Sequence, residues 1–381
     1  MALFKSFFMG GFECSTHRLR SGKRLDVIAA SGHDQHVQDD YRRLREQGLY
    51  TARSGIRWHL IEPRPHHYDF SSVIPMLRAA RSSDMQIIWD LMHYGYPDDL
   101  DPFKPEFVSR FTGMVRAFAQ VYREETDQPA FFCPVNEISF FSWGGGDVGY
   151  LNPFATGRGF ELKVQLARMA IHAIEAIWDV LPSARIVHVD PVIHIAHHPE
   201  RPEDQATAEG HRVAQFQGWD LISGQMWEQI GGHPRYLDII GLNYYSNNQW
   251  FHGGGGIIEQ GSPHFRPFRD IAREVFTRYG RPMFIAETGA EDDMRPLWLR
   301  YMAGEARALI AEGIPLGGLC LYPILNHPGW DDDRHCHNGM WDYCDTDGER
   351  EICQPYADEL RRQQALTEPY LVSNSASQAP A

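Results

Sequence analysis

The strongest constraint on how this chain folds is an alternation that runs its whole length. Short apolar runs at residues 7–11, 49–58, 85–92, 130–135, 185–190, 237–242, 282–286 and 316–322 are separated by longer segments with helical periodicity. "DDYRRLREQG" sets Tyr41 and Leu44 on one face and stops at Gly48, and "FVSRFTGMVRAFAQVYREE" and "KVQLARMAIHAIEAIWDVL" repeat apolar residues every three or four positions. "RPLWLRYMAGEARALIAEG" ends on a glycine just before the next run, a usual helix stop. Continuous apolar strands alternating with amphipathic helices imply a parallel sheet covered on its outer face. Some eight such units predict a closed (β/α)8 TIM barrel in a single α/β domain over 1–370. Residues 144–159 and 247–267, the latter with "GGGG", read as long loops, and 371–381 as a disordered tail.

The formal charge of −14 speaks against nucleic acid, whose backbone would be repelled. No apolar run approaches the roughly 20 residues that span a membrane. "MALFKSFFMGGFECS" lacks the layout of a secretory signal, so the expectation is a cytoplasmic protein, monomeric or homodimeric. Six cysteines are too few for a disulfide scaffold. Cys336 sits in "HCH" and Cys344 follows, but the spacing fits no ordinary zinc pattern, and reduced structural thiols are the expectation. No metal and no organic cofactor is expected. The 12% aromatic content suits a large core or a carbohydrate site, where rings stack on sugar C–H faces.

In such a barrel the active site lies where the strands end. The polar residues there are Glu13 and His17, Arg53, Asp90 and His93, Asn136 and Glu137, Asn243 and Tyr245, Glu287, and Trp330 beyond the last run. Two carboxylates, a cation, hydroxyl-binding groups and rings around one mouth suit glycoside cleavage. One carboxyl protonates the leaving oxygen while the other supports positive charge at the anomeric carbon.

Those residues also carry a family resemblance. "CPVNEI" resembles the Asn-Glu-Pro motif of glycoside hydrolase family 1, and "RPMFIAETGA" its strand-seven Ile-Thr-Glu-Asn-Gly. "DLMHYGYPDDL" is similar to its His-Trp-Asp-Leu-Pro segment, "DIIGLNYYS" to strand six, and "ARSGIRWHLIEP" followed by "YDFS" to strand two. The resemblance covers about residues 7–341 and marks a divergent member of the clan with catalytic glutamates on strands four and seven.

It implies a retaining, exo-acting β-glycosidase, related to β-glucosidases, that works through a covalent glycosyl-enzyme. Glu137 is then the acid/base and Glu287 the nucleophile, kept ionised by Arg53 and Tyr245. Asn136 and His93 are then the holders of sugar hydroxyls, with Asn243, Glu13, His17, Tyr322 and Trp330 supporting. On the residues alone, Arg53 also suits a structural ion pair, His93 a satisfied core histidine, and Tyr245 and Trp330 core rings. Ile138 replaces the motif's proline, Tyr322 its strand-eight tryptophan and Gly329 a glutamate that contacts distal hydroxyls. Its N-terminal glutamine aligns with His17 or Arg18. Groups beside the reacting bond are kept while those reading the sugar's far end change, so the expected sugar or linkage is not an ordinary glucoside. A transglycosidase and a non-catalytic sugar-binding barrel are the alternatives.

Overall fold

The computed structural model describes residues 2–377, with side chains to Val372. Eight strands form the expected closed parallel barrel: β1 (Phe8–Gly11), β2 (Thr51–Gly55), β3 (Gln86–Asp90), β4 (Phe131–Cys133), β5 (Arg185–Pro191), β6 (Ile239–Asn243), β7 (Met283–Thr288) and β8 (Leu316–Leu321). Each strand pairs with its sequence neighbours, and β1 closes the ring against β8 through Phe8, Met9 and Gly10 beside Leu319, Cys320 and Leu321. Every apolar run predicted as a strand overlaps one, and those at 185–190, 237–242 and 282–286 end one or two residues short of the strand.

The principal covering helices are α1 (His33–Glu46), α2 (Ile74–Ser82), α3 (Pro105–Glu125), α4 (Gly159–Trp178), α5 (Gln217–Ser223), α6 (Phe268–Tyr279), α7 (Met294–Ala311) and α8 (Gln354–Ser377). Pro105 opens α3, where its missing N–H breaks no helical bond. Gly280 closes α6 at φ 61°, a left-handed conformation that glycine adopts without a Cβ clash. The segment expected as a disordered tail overlaps the end of α8 through residue 377, and 378–381 lie outside the described residues.

Two apolar layers follow from the alternation of side chains along each strand. Ile88, Phe131, Val187, Val189, Phe284, Ala286 and Cys320 fill the barrel interior, and Phe4 packs beneath with its ring 5.3 Å from Phe131 and 5.1 Å from Phe284. The opposite faces meet the helices in a larger core that includes Trp58, Trp89, Phe107, Phe111 and Phe118. Each such side chain contributes roughly 1.5–3 kcal/mol by leaving water. Among the described residues, no helix is long and apolar enough to cross a membrane.

The long segments after the strands shape the mouth. The expected loop at 144–159 begins inside a π-helical turn, Ser142–Asp147, and that after β6 contains a strand, Gln249–Phe251, paired with His194–Ala196. Beyond β8, His327–Pro328 pairs with His335–Cys336, and Trp341–Cys344 with Arg350–Ile352.

Candidate active site

At the C-terminal end of the barrel lies a cavity of about 1070 Å³. Its wall includes Glu13, His93, Glu137, Asn243, Tyr245, Glu287, Tyr322 and Trp330, which the sequence places at eight different points along the chain. Arg53 and Asn136 stand behind that wall, fully buried. His17 is also fully buried, edge-on to Trp330 at 4.6 Å, and neither ring nitrogen has a hydrogen-bond partner among the described residues. Burial pushes its pKa down to about 3, so it backs Trp330 as a neutral ring.

Arg53 organises the floor. Its Nε and Nη2 donate to the two Asp90 oxygens at 3.1 and 2.7 Å, Nη1 donates to Glu287 Oε1 at 2.6 Å, and Nη2 also reaches Asn136 Oδ1. A planar guanidinium with fixed donors suits this multiple role, which a lysine cannot fill. Asp90 Oδ2 in turn bonds His93 Nδ1 at 3.0 Å, and His93 Nε2 faces Asn136 Nδ2 at 3.1 Å. Burial works against a charged His93, but Cys14, Asp90 and Glu13 outweigh it and raise its pKa. Cys14, Asp90 and His93 are close enough to share a cation. Both Asp90 oxygens already accept from Arg53, however, and the donor set fits an ion-pair network better.

The resemblance gave Asn136 a sugar hydroxyl. Its amide also serves Arg53, His93 and the Tyr94 hydroxyl behind the cavity wall. Tyr322 lies in the wall because Gly11 leaves it room: a Cβ there would fall 2.0 Å from the Tyr322 ring.

Glu137 and Glu287 have opposite settings. Glu287 Oε2 accepts from the Tyr245 hydroxyl at 3.0 Å while Oε1 holds Arg53. Among the described residues no cation pairs with Glu137; Oε1 accepts from Asn243 Nδ2 at 2.6 Å and Oε2 from the Tyr94 hydroxyl. Burial, then the charge of Glu287, raises the Glu137 pKa to about 8, against the pull of those two bonds. Arg53 and Tyr245 were expected to lower the Glu287 pKa and keep it ionised. Arg53 does pull it down, but burial outweighs it and the net direction is upward. With Asp90, Glu13 and Glu287 ionised against Arg53 and His93, a further charge on Glu137 would be poorly compensated. The pair therefore favours one charge, and the Arg53 contact puts it on Glu287.

Local backbone aims Glu137. It takes a left-handed conformation, φ 49°, just before the helical turn Ile138–Phe141, and its N–H donates to Val189 O at 3.0 Å. Tyr94 is left-handed too, φ 65°. Such conformations cost on the order of 1–3 kcal/mol for residues with a Cβ and persist where neighbours hold them. Asp190, at the end of β5, does part of that holding by accepting from Ser139 N and Ser139 Oγ, each at 2.9 Å. Neither Tyr94 nor Asp190 was singled out from the sequence. Tyr94 lay inside the quoted "DLMHYGYPDDL", and a tyrosine next to the candidate histidine was the available signal.

The outer wall is largely apolar: Phe140, Trp143, Phe160, Ile193, Ile195 and Trp250.

No family model matches the sequence, and no curated protein matches it. Among solved structures, the chain is similar to the AHE enzyme from Alicyclobacillus herbarius, with a TM-score of 0.78 and 16% identity over 96% of this chain and 99% of that one. It is also similar to the family 1 β-glucosidase from Thermotoga maritima, with a TM-score of 0.76 and 15% identity over 94% and 97% of the two chains. The T. maritima β-glucosidase in complex with noeuromycin gives 0.74 and 15% over 96% and 98%. At identity this low, these similarities show a shared barrel fold alone.

Proposed function

We propose that the chain is a retaining, exo-acting β-glycosidase acting on a carbohydrate substrate, with residues 1–370 as one catalytic unit. The observation that carries this reading is the pair of glutamates on one cavity wall, one bound to Arg53 and Tyr245, the other without a cation and with its pKa raised to about 8.

In the first step a Glu287 oxygen attacks the anomeric carbon as the bond to the leaving oxygen breaks, and the Glu137 proton passes to that oxygen. Neutralising Glu287 in the ester removes one cause of the high Glu137 pKa, so the ionised Glu137 is then suited to deprotonate water. Water attacks the anomeric carbon, the ester bond breaks, and both carboxyls return to their starting states. His93 and Asn243, both on the wall, are the proposed contacts to sugar hydroxyls. Tyr322 and Gly329 in the wall support a sugar or linkage other than the ordinary glucoside, because they replace larger or charged groups of the family pattern.

The test is Glu287→Gly assayed on an activated aryl glycoside with and without azide. Recovery of turnover with a glycosyl azide of inverted anomeric configuration is expected. Absence of rescue across a panel of glycosides that the parent protein cleaves would sink the assignment. The apolar outer wall favours transglycosylation as a second reading, since rings can hold an acceptor sugar in place of water. Product analysis with excess acceptor separates the two.

A further inference from the structure

The His-Cys-His motif set aside in the sequence takes on a different meaning once folded. His335 and Cys336 form a short strand against His327–Pro328. Successive side chains on an extended segment point to opposite faces. Cys336 accordingly turns inward, 3% exposed and part of the cavity wall, while His335 and His337 are both exposed, their rings 4.4 Å apart and 18° from parallel.

A third group arrives from the neighbouring strand Trp341–Cys344. Asp342 Oδ1 bonds His335 Nε2 at 2.6 Å and is fixed by Asn326 Nδ2 at 3.0 Å and Tyr343 N at 2.7 Å. These three bonds all fall on Oδ1. The candidate ligand atoms of His335, His337 and Asp342 lie within 4.8 Å of one another. Ligands of a tetrahedral ion sit roughly 3.3 Å apart, which modest rotation of two exposed imidazoles can reach. The rear of the set is already oriented, with Tyr343 stacked on His335 at 4.2 Å and Asn326 holding the carboxylate.

We propose that His335, His337 and Asp342 form a surface site for a divalent transition-metal ion. Two imidazoles and one carboxylate suit Zn²⁺, Ni²⁺ or Cu²⁺, and are poor ligands for Mg²⁺ or Ca²⁺, which prefer all-oxygen sets. The site uses neither glutamate and does not depend on the glycosidase reading. Its ligands bracket Cys336 and Asn338, and the same hairpin carries Trp330 and Arg334, all of them in the cavity wall. An ion here ties the hairpin to the strand bearing Asp342 and thereby fixes that wall.

The experiment uses the untagged full chain, stripped with chelator and titrated with ZnCl₂ by calorimetry, followed by hydrogen exchange across 327–342. One saturable ion per chain, with a Kd on the order of micromolar and protection of that segment, is expected. His337→Ala and Asp342→Asn should each weaken binding by at least about tenfold. Asp342→Asn preserves the contact with Asn326 and so separates ligation from packing. Lack of saturable binding up to about 1 mM, or affinity unchanged in both variants because other histidines hold the ion, overturns the proposal.

Discussion

The ends of β4 and β7 carry the same side chain in contrasting electrostatic surroundings. Glu287 lies within β7, where the register against β6 shifts between Ile285 and Glu287, and meets a guanidinium and a phenol. Glu137 follows β4 in a left-handed turn and meets an amide and a phenol, with no cation. Both are buried, 5% and 8% exposed, so burial alone does not divide their roles. The difference comes from Arg53, which reaches one and not the other. Asymmetric compensation of two equally buried acids is enough to make one a candidate nucleophile and the other a candidate proton donor.

The largest way to break that comparison is Glu287→Gly, which should reduce kcat/KM on the order of 10⁵-fold, measured on any glycoside that the parent cleaves. A loss under about tenfold would remove Glu287 from the chemistry. Glu137→Gln should cost about 10²–10⁴-fold on substrates with poor leaving groups and much less on activated aryl glycosides, which need no protonation. It should also erase the alkaline limb of kcat/KM. In the parent that limb should fall near pH 8, because the acid must carry its proton and the Glu137 pKa is raised to about 8. Retention of the limb in Glu137→Gln would assign it to another group.

The same shift has a stability consequence. The folded pKa of Glu137 is raised, so its contribution is fully present below the unfolded value, about 4.5, and is lost as pH rises through about 8. Thermal melts between pH 5 and 9 should show the parent losing stability relative to Glu137→Gln as pH rises. Parallel curves for the two proteins would contradict the assigned shift.

Much of this arrangement was legible before the fold was known. Parallel strands buried on both faces read as continuous apolar runs, and the polar residue that ends such a run is conspicuous, as Glu137 and Glu287 were. The hidden part depends on meetings between elements. Asn136 ends its run as visibly as Glu137 does, yet its amide is taken by Arg53 from β2 and His93 and Tyr94 from the segment after β3. Asp190 ends the β5 run, but its role follows from Ser139 on a different element. His335 and His337 were seen as a pair flanking a cysteine, and only the hairpin brings Asp342 to them. Period and composition report what one strand presents, and they carry no information about which strand's side chain will answer it.

The finest test of the comparison uses two conservative changes beside Glu137 that should move its titration in opposite directions. Tyr94 donates to the Glu137 carboxylate and favours its ionised form, so Tyr94→Phe should raise the Glu137 pKa and carry the alkaline limb upward. Asp190 acts with the other sign. Its negative charge raises the Glu137 pKa, and burial lifts its own pKa to about 7, so it is largely ionised where the alkaline limb falls. Asp190→Asn keeps a carbonyl oxygen for Ser139 but removes that charge, and the limb should move downward. Each displacement should be under about one pH unit, since one hydrogen bond contributes roughly 0.5–1.5 kcal/mol and one unit corresponds to about 1.4 kcal/mol. General damage to the fold would lower activity in both variants without sending the two limbs apart. Limbs that move in the same direction, or not at all, would mean that the environment of β4 does not set the proton on Glu137.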